Sequence, residues 1–279
     1  MSWILSPEQL MQLIQNEEVV VIDVRSNLMD PDKGLKQYKH SHIPGAYYLH
    51  LTNDLSGEVK EHGGNHPLPD VEPFTKKLTD FGITENTYVV VYDEKNDMFA
   101  PRAWWLLQYV GVQNVFVLNG GFTAWVNAGY DVTAEVPPKK QSRFTPNVQK
   151  DATVTMEEVR DRNRSTSVLI DSRAYERYIG KTEPLYKKAG HIPGAVHYFW
   201  QDVLDESGSW KKVEQLKKHF APLKEAEEII VSCGSGISAC PNILALKMAG
   251  FKNVKLYPGS FSDWISYEEN DIETSRRIK

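Results

Sequence analysis

Cysteine is scarce in this chain of 279 residues, which holds only Cys233 and Cys240. Two thiols so close together offer neither a disulfide framework nor the Cys/His spacing of a metal site. A reduced, cytoplasmic setting is therefore expected, with no metal and no organic cofactor. Long hydrophobic runs are missing as well. No stretch of 18 apolar residues occurs, and Met1-Ser2-Trp3-Ile4-Leu5-Ser6-Pro7-Glu8 has no basic segment leading into an apolar one. Neither a membrane span nor a secretory signal is expected. Positive charge is not in excess either, since 32 Lys and Arg face 37 Asp and Glu. Nucleic acid is thus not an expected partner, and Lys139-Lys140 and Lys187-Lys188 read as solvated faces.

A hydrophobic content of 41% with 25% charged residues is that of a soluble globular protein, and the length suits two domains. The chain is also written twice. Val20-Val21-Ile22-Asp23-Val24-Arg25 is echoed by Val168-Leu169-Ile170-Asp171-Ser172-Arg173, and His42-Ile43-Pro44-Gly45-Ala46 is repeated letter for letter at 191–195. Val89-Val90-Val91-Tyr92-Asp93 answers to Ile229-Ile230-Val231-Ser232-Cys233, with Pro101 and Pro241 each eight residues further on. Last, Asn119-Gly120-Gly121-Phe122 with Trp125 corresponds to Pro258-Gly259-Ser260-Phe261 with Trp264. Four ordered matches mark a duplication.

In each half, short apolar runs alternate with helical stretches. Ser6-Pro7-Glu8-Gln9 and Thr155-Met156-Glu157-Glu158 have the form of capping boxes. Buried parallel strands are expected at 19–22, 88–92, 115–118, 168–170, 229–232 and 254–256. Crossover helices are expected at 73–81, 101–110, 213–220 and 239–249. The fold class is α/β: two tandem domains, each a mostly parallel sheet flanked by helices. The domains are expected at 1–135 and 152–279, joined by a linker at 136–151 containing Pro137-Pro138 and Pro146.

The duplication separates fold from chemistry. Features present in both halves read as structural: His42 and His191, the turns at Gly45 and Gly194, and Asp23/Arg25 and Asp171/Arg173 as ion pairs tying loops to the sheet. The differences point to function. Where the first half has Asp93 at a strand's carboxyl end, the second has Cys233, followed by Gly234-Ser235-Gly236-Ile237-Ser238 and a helix. Ligands of parallel sheets bind at such ends. A glycine-rich loop before a helix N-terminus aims backbone N–H groups at an anion, so a nucleophilic thiolate is expected at Cys233. Cys240, inside the helix, reads as packing.

These motifs together resemble the two-domain rhodanese-family sulfurtransferases over essentially the whole chain. The resemblance implies that Cys233 carries sulfur as a persulfide while the first domain is non-catalytic. The donor is a small molecule, and the acceptor a thiol, thioredoxin or cyanide. It also separates two donors. Thiosulfate enzymes carry basic residues directly after the cysteine; the neutral Gly234 and Ser235 resemble the 3-mercaptopyruvate loop instead, with thiosulfate:cyanide transfer as the alternative. In the mercaptopyruvate type, Ser235 would join His66 and Asp54 in a proton relay. The interval from His-Ile-Pro-Gly-Ala to the loop is nine residues longer in the first half, and the extra chain includes 57–65, beside His66. Arg177, whose counterpart is Met29, would bind the donor's carboxylate. A second arginine is missing, and Lys187 or Lys188 would supply that charge without the planar fork. Arg102 is a further candidate for the binding site, with Gly234, Gly236, Ile237 and Ser238 lining it. A phosphatase would need an arginine where Ala239 stands, and a purely binding module would have no use for Cys233.

Overall fold

A computed structural model describes residues 3–16 and 19–274. The described residues form two compact units, one within 1–57, 68–150 and 205–210 and the other within 58–67, 151–204 and 211–279. Each unit thus contains a short segment from the opposite half of the sequence.

The first unit carries β1 (Ile4–Leu5), β2 (Val19–Asp23), β3 (Tyr47–Tyr48), β4 (Tyr88–Tyr92) and β5 (Asn114–Leu118) in one parallel sheet of order β1-β5-β4-β2-β3. The second carries β6 (Ser167–Asp171), β7 (Val196–His197), β8 (Glu228–Ser232) and β9 (Val254–Leu256) in a parallel sheet of order β7-β6-β8-β9. The registers repeat, with Val21 opposite Val90 and Leu169 opposite Ile230. The expected strands and helices are all present to within two residues, including helices Val71–Asp80, Phe99–Tyr109, Val213–His219 and Cys240–Ala249. Both capping boxes form: Ser6 and Gln9 open Pro7–Gln15, and Thr155 and Glu158 open Met156–Asp161. Each satisfies two backbone N–H groups that a helix start otherwise leaves unpaired.

The cores are likewise duplicated. Leu10, Val21, Val90 and Trp125 pack in the first unit, and Val159, Leu169, Ile230 and Trp264 in the second. Each tryptophan donates its indole N–H to a backbone carbonyl, Asp131 and Asp271 respectively, at 2.8 Å. Residues 136–150 lie with the first unit, where Lys140 N–H bonds Asp80 O and Asn147 N–H bonds Val110 O.

The motifs shared by both halves are structural. Asp23 and Arg25 form a buried multidentate pair, and Arg25 reaches Ser41 O just before the repeated turn. Asp171 and Arg173 do the same, with Gly190 O as the loop anchor. His42 stacks on Tyr38 and His191 on Tyr178, and each ring's Nδ1 lies 2.7 Å from that tyrosine's carbonyl. Such groups, buried and hydrogen-bonded to the loop backbone, fix a loop onto a sheet.

Candidate active site

Cys233 follows the last residue of β8 and is 1% exposed. Its Sγ accepts a hydrogen bond from the Gly236 N–H at 3.1 Å. The loop is fastened to the helix Ser260–Trp264: Cys233 O accepts from Phe261 N, and Gly234 O from Ser262 N. Cys233 N–H donates to Ser260 Oγ at 3.0 Å, and that hydroxyl lies 3.9 Å from Sγ. Ser260 adopts φ 54°, in the left-handed region where a side chain is strained. Its counterpart Gly121 adopts φ 56° without a side chain to strain. The thiol-bearing half therefore accepts strain to place a hydroxyl at the sulfur.

The twin loop in the first unit holds a carboxyl group where the second holds the thiol. Asp93 Oδ1 accepts from Asp97 N at 3.0 Å and Oδ2 from Ala100 N at 2.9 Å. Its O accepts from Phe122 N, matching the Cys233–Phe261 bond. Two backbone N–H groups of its own loop thus hold the Asp93 carboxyl group. Burial, followed by the charge of Asp97, pushes Asp93 up to about 7 against the pull of the two N–H groups. Residues 205–210 close this loop: Asn96 Nδ2 donates to Gly208 O, and Trp210 N to Asn119 Oδ1.

Residues 58–67 do the corresponding work in the second unit. Gly63 N–H bonds Asp263 Oδ1 at 2.7 Å, Asn65 N–H bonds Ser262 Oγ at 3.1 Å, and His62 stacks on Tyr267. Gly64, at φ +81°, runs so close that a Cβ there would lie 2.4 Å from Gly259 O. Only glycine permits that approach. The strap ends at His66, whose Nδ1 lies 2.8 Å from Ser235 Oγ. Thus His66 and Ser235 are brought together beside Cys233.

Two further candidates belong to the first unit. Asp54 Oδ1 pairs with Lys77 at 2.9 Å, while Oδ2 accepts from His50 N at 2.7 Å. Arg102 is fully buried and donates to Leu55 O at 3.3 Å. At the equivalent position in the second unit Asn242 is equally buried and bonds Tyr198 O.

Arg177 is held by Glu183 through Nε at 3.1 Å and Nη2 at 2.8 Å. Glu183 also bonds Arg173, so two arginines share one carboxylate whose side chain is 3% exposed. Despite burial, which works the other way, Asp171 and then Glu183 push Arg173 upward. Lys187 is exposed. The side chain from this stretch that meets the loop is Tyr186, whose hydroxyl lies 2.7 Å from where a Cβ on Gly234 would stand. Its ring lies 5.3 Å from the Arg177 guanidinium carbon. Sequence reasoning missed Tyr186 and Ser260. The Gly121/Ser260 mismatch was visible in the aligned halves; Tyr186 has no counterpart to expose it. Among the described residues no cluster of three or more His, Cys, Asp or Glu could hold a metal, and no helix is long and apolar enough to cross a membrane.

The rhodanese-like domain family matches residues 6–128 and again 155–267. The chain is 36% identical to a probable 3-mercaptopyruvate sulfurtransferase of Pseudomonas aeruginosa, covering 97% of this chain and 98% of the relative. It is 33% identical to a thiosulfate sulfurtransferase of Gallus gallus, covering 82% of this chain and 80% of that one. Its fold superposes on the crystal structure of SseA from Escherichia coli, described as a 3-mercaptopyruvate sulfotransferase. There the TM-score is 0.81 at 30% identity, covering 94% of this chain and all of that one.

Proposed function

Since the chain belongs to the rhodanese family, we propose that it moves sulfur from 3-mercaptopyruvate to a thiol acceptor through a persulfide on Cys233. The observation that carries the choice of donor is the 2.8 Å contact between His66 and Ser235 beside the nucleophile. Sulfite, the leaving group from thiosulfate, departs as a stable anion and needs no proton. Pyruvate departs as an enolate and does. A histidine–serine pair at the loop answers that need.

In the first step the Cys233 thiolate attacks the donor sulfur, forming an S–S bond and breaking the donor's C–S bond. The electron pair of that bond passes to the pyruvate enolate. The sulfur arrives with its proton and the enolate carbon takes one up, so the net products are a persulfide anion and pyruvate. Ser235 and His66 move that proton. The Gly236 N–H steadies negative charge on Cys233 sulfur. In the second step a thiolate, that of thioredoxin included, or cyanide attacks the outer sulfur and the Cys233 thiolate leaves. Arg177 binds the donor's carboxylate and the backbone of Gly234, Ile237 and Ser238 shapes the pocket floor. Asp54 keeps the role the resemblance gives it, and Asp54→Asn, which should lower kcat, is its test. Arg102 supports the turn at Leu55. The setting is the cytoplasm, where acceptor thiols are reduced.

Steady-state kinetics with mercaptopyruvate and thiosulfate side by side test the donor. A kcat/KM favouring mercaptopyruvate by about tenfold or more is expected; equal or reversed values would overturn it. Cys233→Ser should fold and gain no 32 Da adduct on exposure to either donor.

A further inference from the structure

The stretch between Arg177 and the repeated His191 contains no second arginine, and its lysines do not meet the catalytic loop in any described contact. Tyr186 does. Its hydroxyl stands 2.7 Å from the position of a Cβ on Gly234, the residue next to the nucleophile. Its ring packs on Phe261 at 6.0 Å, and Phe261 is the residue whose N–H anchors Cys233 O. The Arg177 guanidinium carbon lies 5.3 Å from the same ring. Phenol, guanidinium and thiol loop are therefore neighbours, all within the second unit.

The charged groups around this spot carry no net positive charge. Asp171 and Glu183 are each paired with Arg173, and Glu183 also with Arg177, which makes two anions against two cations in one hydrogen-bonded cluster. A site with no net positive charge holds a dianion poorly. It suits a monoanion that can accept directed hydrogen bonds, one from the Arg177 guanidinium and one from the neutral phenol hydrogen-bonded to it. Burial, and then the negative charge at Cys233, push the Tyr186 phenol upward, so it keeps its proton and donates.

Resting on the mercaptopyruvate reading above, we propose that Tyr186 is a specificity-determining residue: its O–H donates to the carboxylate of an α-keto acid sulfur donor, which Arg177 holds from the other side. The neutral phenol replaces a second cation, and that replacement is what disfavours thiosulfate.

Tyr186→Phe removes one oxygen and keeps the ring against Phe261. The wild type is first exposed to mercaptopyruvate and weighed; absence of the 32 Da adduct would overturn the donor reading itself. With loading established, Tyr186→Phe should raise KM for mercaptopyruvate about tenfold while kcat stays within about threefold, the loss expected for one hydrogen bond to a charged acceptor. The inhibition constant for pyruvate, which carries the same carboxylate, should rise in parallel. KM for thiosulfate should stay within about twofold. Alkylation of Cys233 by iodoacetamide should proceed at the wild-type rate, showing an intact loop. An unchanged KM for mercaptopyruvate, an equal rise for thiosulfate, or slowed alkylation would each overturn the assignment.

Discussion

His66 Nδ1 and Ser235 Oγ lie 2.8 Å apart although 169 residues separate them in sequence. The strap of residues 58–67 makes this possible, because its backbone bonds to Ser262 and Asp263 hold the histidine against the loop. Two groups that pass one proton act as a unit, and removing either disables both. Ser235→Ala and His66→Ala should each lower kcat with mercaptopyruvate by about tenfold to a hundredfold, within the range of general acid–base contributions. The double variant should be no slower than the worse single one. Multiplicative losses in pre-steady-state pyruvate release would show that the two act independently.

Asp93 provides a test in the non-catalytic half. Its carboxyl group is buried and raised to about 7, from an ordinary value of 3.8. The folded chain therefore holds a proton that the unfolded chain releases, over the interval from about pH 4 to pH 7. Protons bound on folding make stability fall as pH rises. The contribution of Asp93 is thus greatest below pH 4 and declines up to about pH 7, by as much as about 4 kcal/mol. Asp93→Asn cannot titrate. In urea unfolding between pH 4.5 and 7.5, the stability of wild type relative to this variant should drop steadily with pH. A constant difference would mean that the Asp93 carboxyl is already ionised throughout.

Ser260 separates strain from chemistry. At φ 54° a serine costs about 1 kcal/mol that Gly121 at φ 56° does not. Ser260→Gly relieves this and loses the hydroxyl that receives the Cys233 N–H. The two effects oppose each other, so stability should change by no more than about 1 kcal/mol. Persulfide formation should slow about tenfold, because the sulfur loses a fixed polar neighbour. Ser260→Ala keeps the strain and loses the hydroxyl, and should be the less stable of the two by thermal unfolding. Wild-type rates in both would make Ser260 a backbone feature only.

Much of this is legible in the sequence. The strands and crossover helices follow from short apolar runs, because a parallel strand buried on both faces must be apolar throughout. Cys233 followed from comparison of the two halves, since Asp93 shows that the fold itself does not demand a thiol there. The pairing of His66 with Ser235 came from the resemblance, and no periodicity would have found it. Tyr186 was hidden for a different reason. A tyrosine beside two lysines in an irregular stretch has no pattern, and its meaning depends on how residues 180–190 pack beside Gly234. The seating of 205–210 in the first unit was equally invisible, because hydrogen bonds made by loops leave no hydrophobic signature, whereas 58–67 was signalled by the nine extra residues of the first half.

Arg177 and Glu183 offer the last test, one that distinguishes charge from geometry. Glu183 engages Nε and Nη2 of Arg177 and so orients its planar fork, with the aromatic face of Tyr186 beside it. Lysine at 177 would keep the charge but could neither span the Glu183 carboxylate nor present a fixed second edge to a donor. Arg177→Lys should therefore raise KM for mercaptopyruvate about tenfold or more with a smaller effect on kcat. Glu183→Gln keeps the shape of the side chain and removes an anion shared by two arginines. It should raise KM in the same way, by letting the guanidinium turn, and should also cost about 3 kcal/mol of stability because Arg173 is left buried with one carboxylate instead of two. Paired kinetics and urea unfolding on both variants check this. If Arg177→Lys binds mercaptopyruvate as tightly as wild type, the site reads charge alone and the orienting role of Glu183 falls.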